Sequence, residues 1–478
     1  MNVYFAVISK NNRKIQDLEP KIDYLMRETL FDYIEPLKSV VYSRNHERAI
    51  FLFSIRAETL LDETRGKCFS RYAITSSGYP MEESYHDLLE QNGCDKKCVS
   101  KLNGVFSLCV MDRFCGEVRA YNNHMRLENV YYGENEDYYF VGTRALLIHM
   151  LITDAPRPRL NTILIPDFLH RGYFPCKGTA FEGVTEMPIY SELRVNNRGI
   201  HITPIEDLKD QYFKTDISAQ IYDEFTADLL NAARRIKPLY RHAKIWLTGG
   251  KDSRMMILAM QKAGAEVSAE TVGLFDDSPD VIVAKRIAEM LDIEHTTINS
   301  DVSNDNKIVQ DILGRTQRVL FASDCGLYGF EGCAGTWGPY ATDYALFSGL
   351  GGEVLRGGYA KRLKRFTTEE VIGRVERLYN TVPQFFLPET LQGCKERYYD
   401  CFETIPADKP EGMDWVYVQE HMGKWAAAAM RCWGMQRQYL MPLCDEQLIK
   451  KALKIKTLNK VDDRLMQKSA SQPHLHAV

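Results

Sequence analysis

Two glycines, an acid and a hydroxyl follow an apolar segment near the middle of the chain. The segment reads Ile245-Trp246-Leu247-Thr248-Gly249-Gly250-Lys251-Asp252-Ser253. Helical spacing of apolar residues resumes directly after it, so the sequence predicts a strand, a tight turn and a helix N-terminus. Consecutive glycines let backbone N–H groups approach a ligand, and the helix presents its positive end to the same position. A phosphate chain carrying Mg²⁺ suits these groups, because carboxylates and phosphates share that metal.

The order of these residues differs from the Walker pattern, because the lysine precedes the acid and the long loop ending in Gly-Lys-Ser/Thr is missing. The segment resembles the pyrophosphate loop of ATP pyrophosphatases, Ser-Gly-Gly-x-Asp-Ser, with Thr248 in the first position. The resemblance implies the following ATP- or pyrophosphate-binding residues: Leu247, Thr248, Gly249, Gly250, Lys251 and Ser253. Taken alone, the pattern also fits a glycine turn at the end of a buried strand.

A second glycine-rich segment supplies another acid. It reads Phe347-Ser348-Gly349-Leu350-Gly351-Gly352-Glu353-Val354-Leu355-Arg356-Gly357-Gly358-Tyr359. This segment is similar to Ser-Gly-x-Gly-Ala-Asp-Glu-Leu-x-Gly-Gly-Tyr of the asparagine synthetase family, whose acid shares Mg²⁺ with the pyrophosphate-loop acid. The resemblance implies that Asp252 and Glu353 are the catalytic, metal-binding pair and that Ser348 and Gly349 contact the nucleotide. Glutamate is longer than the usual aspartate, and the short octahedral bonds of Mg²⁺ leave little room for a displaced oxygen.

A third match lies between these two segments. It reads Thr271-Val272-Gly273-Leu274-Phe275-Asp276-Asp277-Ser278-Pro279-Asp280 and resembles the family's Gly-x-x-x-Ser-Pro-Asp segment. Because ligands bind parallel sheets at the carboxyl ends of strands, Val272 and Gly273 are predicted to hold the base through backbone groups. Ser278 followed by Pro279 predicts a helix N-cap. His295 is predicted to be structural, since no nucleophile or metal ligand accompanies it.

Composition excludes several classes of protein. The 478 residues are 45% hydrophobic and 26% charged, as expected of a globular protein with two or three domains. A net charge of −4 gives no electrostatic reason to expect nucleic acid or an anionic membrane surface. The sequence shows no signal peptide and no apolar run of membrane-spanning length. The twelve cysteines, among which Cys94 and Cys98 lack partners for a zinc site, are predicted to be reduced thiols of a cytoplasmic protein.

The elements that position these residues fall into two groups. Strands are predicted at residues 3–8, 49–54, 104–111, 118–121, 129–132, 138–142 and 192–195, and helices at 21–33, 85–91, 146–152 and 166–171. From residue 215, helices at 217–235, 280–291, 417–431 and 445–453 accompany apolar strands before the first loop and at 266–274. The predicted fold is a two-domain α/β protein, with an α+β layered domain at 1–205 and an α/β parallel-sheet domain at 215–478.

The first domain carries its own resemblance. Leu102-Asn103-Gly104-Val105-Phe106-Ser107, followed by Met111-Asp112-Arg113, is similar to the Leu-x-Gly-x-Phe…Asp-Arg strand pair of the family's N-terminal, Ntn-hydrolase-like glutaminase domain. In that family a cysteine at position 2 attacks glutamine. This chain has Asn2, and its first cysteine is Cys68. Because an amide does not replace a thiolate nucleophile, the resemblance implies an inactive glutaminase fold, as in β-lactam synthetases.

The resemblance of the second domain to PP-loop synthase domains of the adenine nucleotide α-hydrolase type implies a reaction. ATP with Mg²⁺ would adenylate a small-molecule or peptide carboxylate, and an amine would then displace AMP, without glutamine and with lactam formation as one form. Two departures bear on this hypothesis. Leu350 replaces the family's Glu or Tyr beside the attacking amine. The family's C-terminal lysine has only Lys460 and Lys468 as counterparts, and neither is assigned.

Two alternatives stay open. One is transfer of an unusual nitrogen nucleophile in specialised metabolism. The other is a non-catalytic nucleotide- or partner-binding protein, which Leu350 favours, whereas the retained loop and second acid favour the ligase.

Overall fold

Three β-sheets organise the part of the chain that the structure describes. The computed structural model describes residues 2–29, 37–54, 66–79, 84–196, 198–207, 211–273, 277–299, 312–328, 341–378, 383–401, 408–435 and 437–461. The first two sheets are antiparallel and come from residues 2–204, whereas the third is parallel and comes from residues 243–440. The parallel sheet carries the loops with the predicted chemistry.

The antiparallel strands are β1 (Asn2–Ser9), β2 (Leu37–Ser43), β3 (Arg48–Ser54), β4 (Gly66–Cys68), β5 (Tyr72–Tyr79), β6 (Val105–Asp112), β7 (Val118–Asn122), β8 (Tyr131–Glu134), β9 (Tyr138–Gly142), β10 (Thr185–Glu186), β11 (Ser191–Asn196) and β12 (Gly199–Pro204). Their order is β10-β8-β9-β1-β3-β2 in one sheet and β12-β11-β7-β6-β5-β4 in the other. The helices of this region are Ile15–Asp17, Glu19–Thr29, Tyr85–Gln91, Lys96–Val99, Ala145–Thr153 and Ile165–Arg171.

Side chains along β1 point alternately to the two faces of its sheet, and their contacts show how the sheets and helices stack in layers. Tyr4 and Ala6 pack against residues of the second sheet such as Met111, whereas Val3 and Phe5 face the opposite side. That opposite side is covered by the helices Glu19–Thr29 and Ala145–Thr153. The outer face of the second sheet is covered in the same way by the helix Tyr85–Gln91. The layers therefore run helix, sheet, sheet, helix, and β1 is buried on both faces.

The parallel strands are β13 (Ala243–Trp246), β14 (Val267–Gly273), β15 (His295–Asn299), β16 (Ala341–Phe347) and β17 (Arg437–Leu440), in the order β15-β14-β13-β16-β17. All four pairings are parallel, which confirms the predicted sheet type. The helices of this region are Ala219–Ile236, Lys237–Leu239, Lys251–Lys262, Pro279–Met290, Ile312–Ala322, Gly352–Leu355, Ala360–Arg362, Thr368–Leu378, Pro383–Phe385, Pro388–Asp400, Glu411–Trp415, Val416–Ala426, Ala427–Gly434, Pro442–Cys444, Glu446–Lys454 and Thr457–Asn459.

The helix predicted at 417–431 is present, wound as a π-helix over Val416–Ala426 and as an α-helix from Ala427. Other local expectations were wrong. The strand predicted at 129–132 begins only at Tyr131, and β5 was not predicted at all. The end of the helix predicted at 21–33 and of the strand predicted at 266–274 lies outside the described residues.

The cysteines also depart from the expectation of reduced thiols. Cys176 and Cys401 form a disulfide that joins positions 225 residues apart. Nine other cysteines in the described part of the chain are free, and Cys94 and Cys98 are both buried. Where helices are described, none combines the length and apolar character needed to cross a bilayer.

The antiparallel and parallel regions share a core. Tyr79, Val105 and Leu127 belong to the same buried cluster as the residues around the parallel sheet. Polar contacts cross the same boundary, since the carboxylate of buried Asp445 accepts from the N–H of Gly104 at 3.0 Å. The boundary between the two regions is therefore packed and hydrogen-bonded.

Candidate functional site

The two motif loops leave neighbouring strands at one edge of the parallel sheet. β13 and β16 pair in parallel, with Ile245 opposite Phe347, and each strand ends within two residues of that pair. Parallel strands place their carboxyl ends together. The loops beginning at Leu247 and Ser348, about 100 residues apart in sequence, are therefore adjacent in space.

The first loop is organised by its own hydroxyls. Ser253 is buried and its Oγ accepts from the N–H of Thr248 at 3.2 Å, while Thr248 Oγ1 accepts from the N–H of Gly250 at 3.0 Å. The helix Lys251–Lys262 begins directly after Gly250. Because the N-cap residue is a glycine, it has no side chain to cap the first N–H groups of this helix. Thr248 and Gly250 are exposed, so this helix end can receive an anion.

One donor predicted for pyrophosphate is already in use. The N–H of Gly249 donates to Oδ1 of Asp280 at 2.9 Å. Asp280 lies in the first turn of the helix Pro279–Met290, which follows β14. A phosphate at this loop must therefore either displace the Asp280 carboxylate or bind to the other donors.

The two loops touch through glycines. A Cβ atom on Gly349 would lie 2.8 Å from the backbone nitrogen of Ser253, and a Cβ atom on Gly352 would lie 2.2 Å from Cγ of Asp252. Both distances are shorter than real Cβ contacts. The glycines are needed at these two positions because the opposite loop occupies the space of a side chain.

Both predicted acids contact one arginine. Arg356 Nε lies 3.0 Å from Oδ1 of Asp252, and its terminal nitrogen NH2 lies 3.0 Å from Oδ2 of Asp252 and 3.2 Å from Oε1 of Glu353. The side chains of Asp252, Glu353 and Arg356 are 13%, 29% and 23% exposed. The structure therefore brings the two acids together, as predicted, but around a guanidinium.

Glu353 has a second partner in the π-helix. The hydroxyl of Tyr417 donates to Oε2 of Glu353 at 2.9 Å and accepts from the N–H of Gly351 at 3.2 Å. Burial raises the pKa of Tyr417 well above its usual value, so the phenol stays protonated and donates. Tyr417 thus fixes both the carboxylate and the glycine loop that carries it.

This arrangement does not fit a bridging Mg²⁺. Magnesium requires carboxylate oxygens at about 2.0–2.1 Å in octahedral geometry. The terminal nitrogen NH2 of Arg356 instead contacts one oxygen of each acid that was predicted to hold the ion, Oδ2 of Asp252 at 3.0 Å and Oε1 of Glu353 at 3.2 Å. Elsewhere in the described residues, three side chains with metal-ligating atoms lie close together at Cys176, Cys401 and Glu420. Two of those three are joined in the disulfide, so they are not thiolate ligands.

The remaining predicted site residues lie at the same sheet edge. Val272 and Gly273 end β14, next to β13, and Val272 is 53% exposed. His295 begins β15 and its Nε2 lies 2.8 Å from the hydroxyl of Thr271, while burial lowers its pKa. This packing agrees with its predicted structural role. Leu350 is half-buried against the core of the parallel sheet.

The N-terminal position predicted to lack a nucleophile is buried. Asn2 is 1% exposed, and its backbone carbonyl accepts from the hydroxyl of Ser77 at 3.0 Å. An asparagine in this position has no thiolate, so no acyl transfer from glutamine through Asn2 is expected. That inactivity stays a prediction.

Two lysines considered in the sequence are accounted for differently. Lys460 is fully buried and donates to Asp414 at 2.7 Å, so it forms a structural ion pair, whereas Lys468 lies outside the described residues.

Lys424 donates to the carbonyl of Gly178 at 3.0 Å beside a cavity of about 30 Å³. That cavity holds about two water molecules and is too small for a nucleotide.

Sequence reasoning gave no role to Arg356, Asp280 or Tyr417. Arg356 follows Glu353 by three residues, a spacing that brings side chains together in a helical turn, and this was the available signal. Tyr417 lies 64 residues after Glu353, and no sequence pattern connects the two.

Comparisons with known proteins add little at this point. No protein-family model matches the chain, and a search of curated proteins found no match. Among solved structures, the chain is similar to glutamine phosphoribosylpyrophosphate amidotransferase from B. subtilis, complexed with ADP and GMP. The TM-score is 0.29 and the identity 10%, over 75% of this chain and 77% of that chain.

Two further structures show similarity of the same order. An allosteric regulatory enzyme of purine biosynthesis matches with a TM-score of 0.27 and 11% identity, over 59% of this chain and 69% of that one. The NH3-dependent NAD synthetase from Campylobacter jejuni, in complex with nitrate, matches with a TM-score of 0.22 and 16% identity, over 38% of this chain and 96% of that one. At such low scores these likenesses determine neither the fold nor the function of the chain.

Proposed function

We propose that the chain is an ATP-dependent, AMP-forming carbon–nitrogen ligase that works without glutamine. The observation that carries the proposal is the meeting of the two loops. Asp252 and Glu353, 101 residues apart, lie within hydrogen-bond reach of the same guanidinium at the carboxyl edge of a parallel sheet. A glycine turn that opens a helix suits the phosphate chain of a nucleotide, and Arg356 offsets part of the negative charge of the two acids beside it.

The roles follow from what each group can donate. The hydroxyl of Thr248 and the N-terminus of the helix starting at Lys251 would hold the pyrophosphate, and the N–H of Gly250 would join them once it is released from Oγ1 of Thr248. Val272 and Gly273 would lie along the base. A substrate carboxylate would attack the α-phosphorus and release pyrophosphate, and an amine would then attack the acyl carbon and release AMP.

Chemistry at this site would rest on positioning and charge. Lys251 and the helix end would supply positive charge to the departing pyrophosphate without proton transfer. We propose no assignment for the group beside the amine, since Leu350 carries no proton. Small-molecule or peptide carboxylates and amines are the proposed substrates.

A second candidate function is a nucleotide- or partner-binding protein without catalysis. The contact between Gly249 and Asp280 favours the partner-binding form, because a carboxylate at a phosphate loop opposes anion binding. ATP binding separates the ligase from a protein that binds only a partner, and release of AMP from ATP separates the ligase from a nucleotide-binding protein without catalysis.

The test is calorimetric titration of ATP with magnesium into the wild-type protein and two matched variants. Lys251 lies at the first position of the helix and Lys262 at its last, so Lys251→Gln removes a charge at the loop whereas Lys262→Gln removes one at the far end. We expect ATP binding that Lys251→Gln weakens about tenfold and Lys262→Gln leaves unchanged. A folded wild-type protein that binds no ATP would overturn the ligase proposal. ATP binding of equal strength in all three proteins would place the nucleotide elsewhere.

A further inference from the structure

All four oxygens of the two loop acids have a protein donor. Both oxygens of Asp252 accept from Arg356, each at 3.0 Å. Oε1 of Glu353 accepts from Arg356 at 3.2 Å, and its Oε2 accepts from Tyr417 at 2.9 Å. Each donor takes one lone pair of its oxygen, on the side that faces the guanidinium or the phenol. On that side the acids are already bound by groups of the chain itself.

The backbone is shaped around this arrangement. A Cβ atom at residue 352 would lie 2.4 Å from Oδ1 of Asp252, so the carboxylate uses space that only a glycine leaves open. That oxygen is the one held by Nε of Arg356. Gly352 leaves space for the Asp252 carboxylate in the same position in which Arg356 binds it.

The charges of these side chains also oppose a metal ion between the two acids. Two carboxylates and one guanidinium leave a net charge of −1, whereas adding a divalent cation would place it beside a guanidinium that already contacts both acids. A bidentate contact to Asp252 is the geometry in which arginine binds a carboxylate most strongly. A metal ion and Arg356 therefore compete for the same oxygens.

We infer that Arg356 is the resident cation of the two-acid site and that it excludes a divalent metal ion from between Asp252 and Glu353. The guanidinium does the charge neutralisation for which the sequence predicted Mg²⁺. The inference concerns the apo protein and does not rest on the proposed ligase activity. It predicts that a metal site is created when the arginine is removed.

The experiment is titration of Mn²⁺ into the nucleotide-free protein, followed by electron paramagnetic resonance of the free ion. The proteins are the wild type, Arg356→Ala, Arg356→Gln and the double variant Arg356→Ala with Asp252→Asn. Arg362→Ala is the matched control, because Arg362 is exposed, lies in the same segment and contacts the ring of Tyr359. Circular dichroism and size-exclusion chromatography check that each variant is folded.

We expect the wild type and Arg362→Ala to have no specific Mn²⁺ site with a dissociation constant below about 1 mM. Arg356→Ala and Arg356→Gln should bind Mn²⁺ at least about tenfold more tightly, and the double variant should lose that gain. Wild-type protein that already binds Mn²⁺ with submillimolar affinity, through Asp252, would overturn the inference. So would folded Arg356 variants that bind no more tightly than the wild type. Because no nucleotide is present, these outcomes are independent of whether ATP binds.

Discussion

Gly352 is in contact with the carboxyl group of Asp252, and replacing it tests how closely the two loops meet. A Cβ atom at residue 352 would lie 2.2 Å from Cγ and 2.4 Å from Oδ1 of Asp252. Carbon atoms pack at about 3.5–4.0 Å, so in Gly352→Ala either the loop moves or the carboxylate turns away from Arg356. The asparagine synthetase motif carries alanine at this position, so the motif alone predicts that alanine is tolerated.

Each response lowers the free energy of unfolding by an amount of known order. Overpacking a filled position costs about 1–3 kcal/mol. Losing a hydrogen bond between charged groups costs a similar amount, about 1.5–3 kcal/mol. Since the protein takes the cheaper response, we expect Gly352→Ala to lower the free energy of unfolding by about 2 kcal/mol. Urea unfolding followed by tryptophan fluorescence measures it.

A double-mutant cycle isolates the contact. The Asp252→Ala protein lacks Cγ and Oδ1. Only its own Cβ atom remains, 2.7 Å from the Cβ atom added at residue 352. The cost of Gly352→Ala should therefore fall by about 1 kcal/mol or more in that background. Gly434→Ala is the control, because a Cβ there meets nothing within 4 Å. Equal costs with and without the Asp252 carboxyl group, or a Gly352→Ala protein as stable as the control, would refute the described loop contact.

Three further predictions concern other parts of the chain. Burial lowers the pKa of His86 from 6.5 to about 4, so its neutral form stabilises the fold above pH 6.5 and that stability is lost as the pH falls towards 4. Between pH 7 and pH 5 the wild type should lose about 2 kcal/mol relative to His86→Leu in urea unfolding, and a constant difference would contradict this. Tyr417→Phe removes the hydrogen bond to Glu353 and should lower the free energy of unfolding by about 1 kcal/mol, whereas an unchanged urea midpoint would show that the bond contributes nothing. The disulfide between Cys176 and Cys401 spans 225 residues and should add stability of at most about 5 kcal/mol. Reductant should then lower the melting temperature of the wild type but not of Cys176→Ser, and equal responses would exclude the cross-link.

The parallel sheet and its loops could be predicted because the signals are local. An apolar strand, a glycine turn and an immediate helical pattern occupy about 20 consecutive residues around Gly249, and the helix begins at Lys251 as expected. The helix predicted at 445–453 was found at Glu446–Lys454 for the same reason, since Asp445 caps it with its own side chain.

Other elements were missed because their stabilising partners are distant in sequence. β5 contains the polar residues Ser76 and Ser77, yet both are buried. Ser76 is hydrogen-bonded to the hydroxyl of Tyr85 at 2.7 Å, and Ser77 donates to Asn2. A strand buried on both faces with satisfied hydroxyls has no alternation to detect. The π-helix was missed because helical periodicity is similar for both windings over a short segment.

The sequence by itself determined which residues meet at the sheet edge. Two glycine loops after two apolar strands are sufficient, because parallel strands place their carboxyl ends together. Only the tertiary structure decided what lies between the acids. The guanidinium of Arg356 reaches Asp252 across 104 residues of sequence, and Tyr417 reaches Glu353 across 64. Whether a charged side chain faces solvent or binds a partner depends on the space and the acceptor oxygens around it. That environment forms only when the two loops pack together.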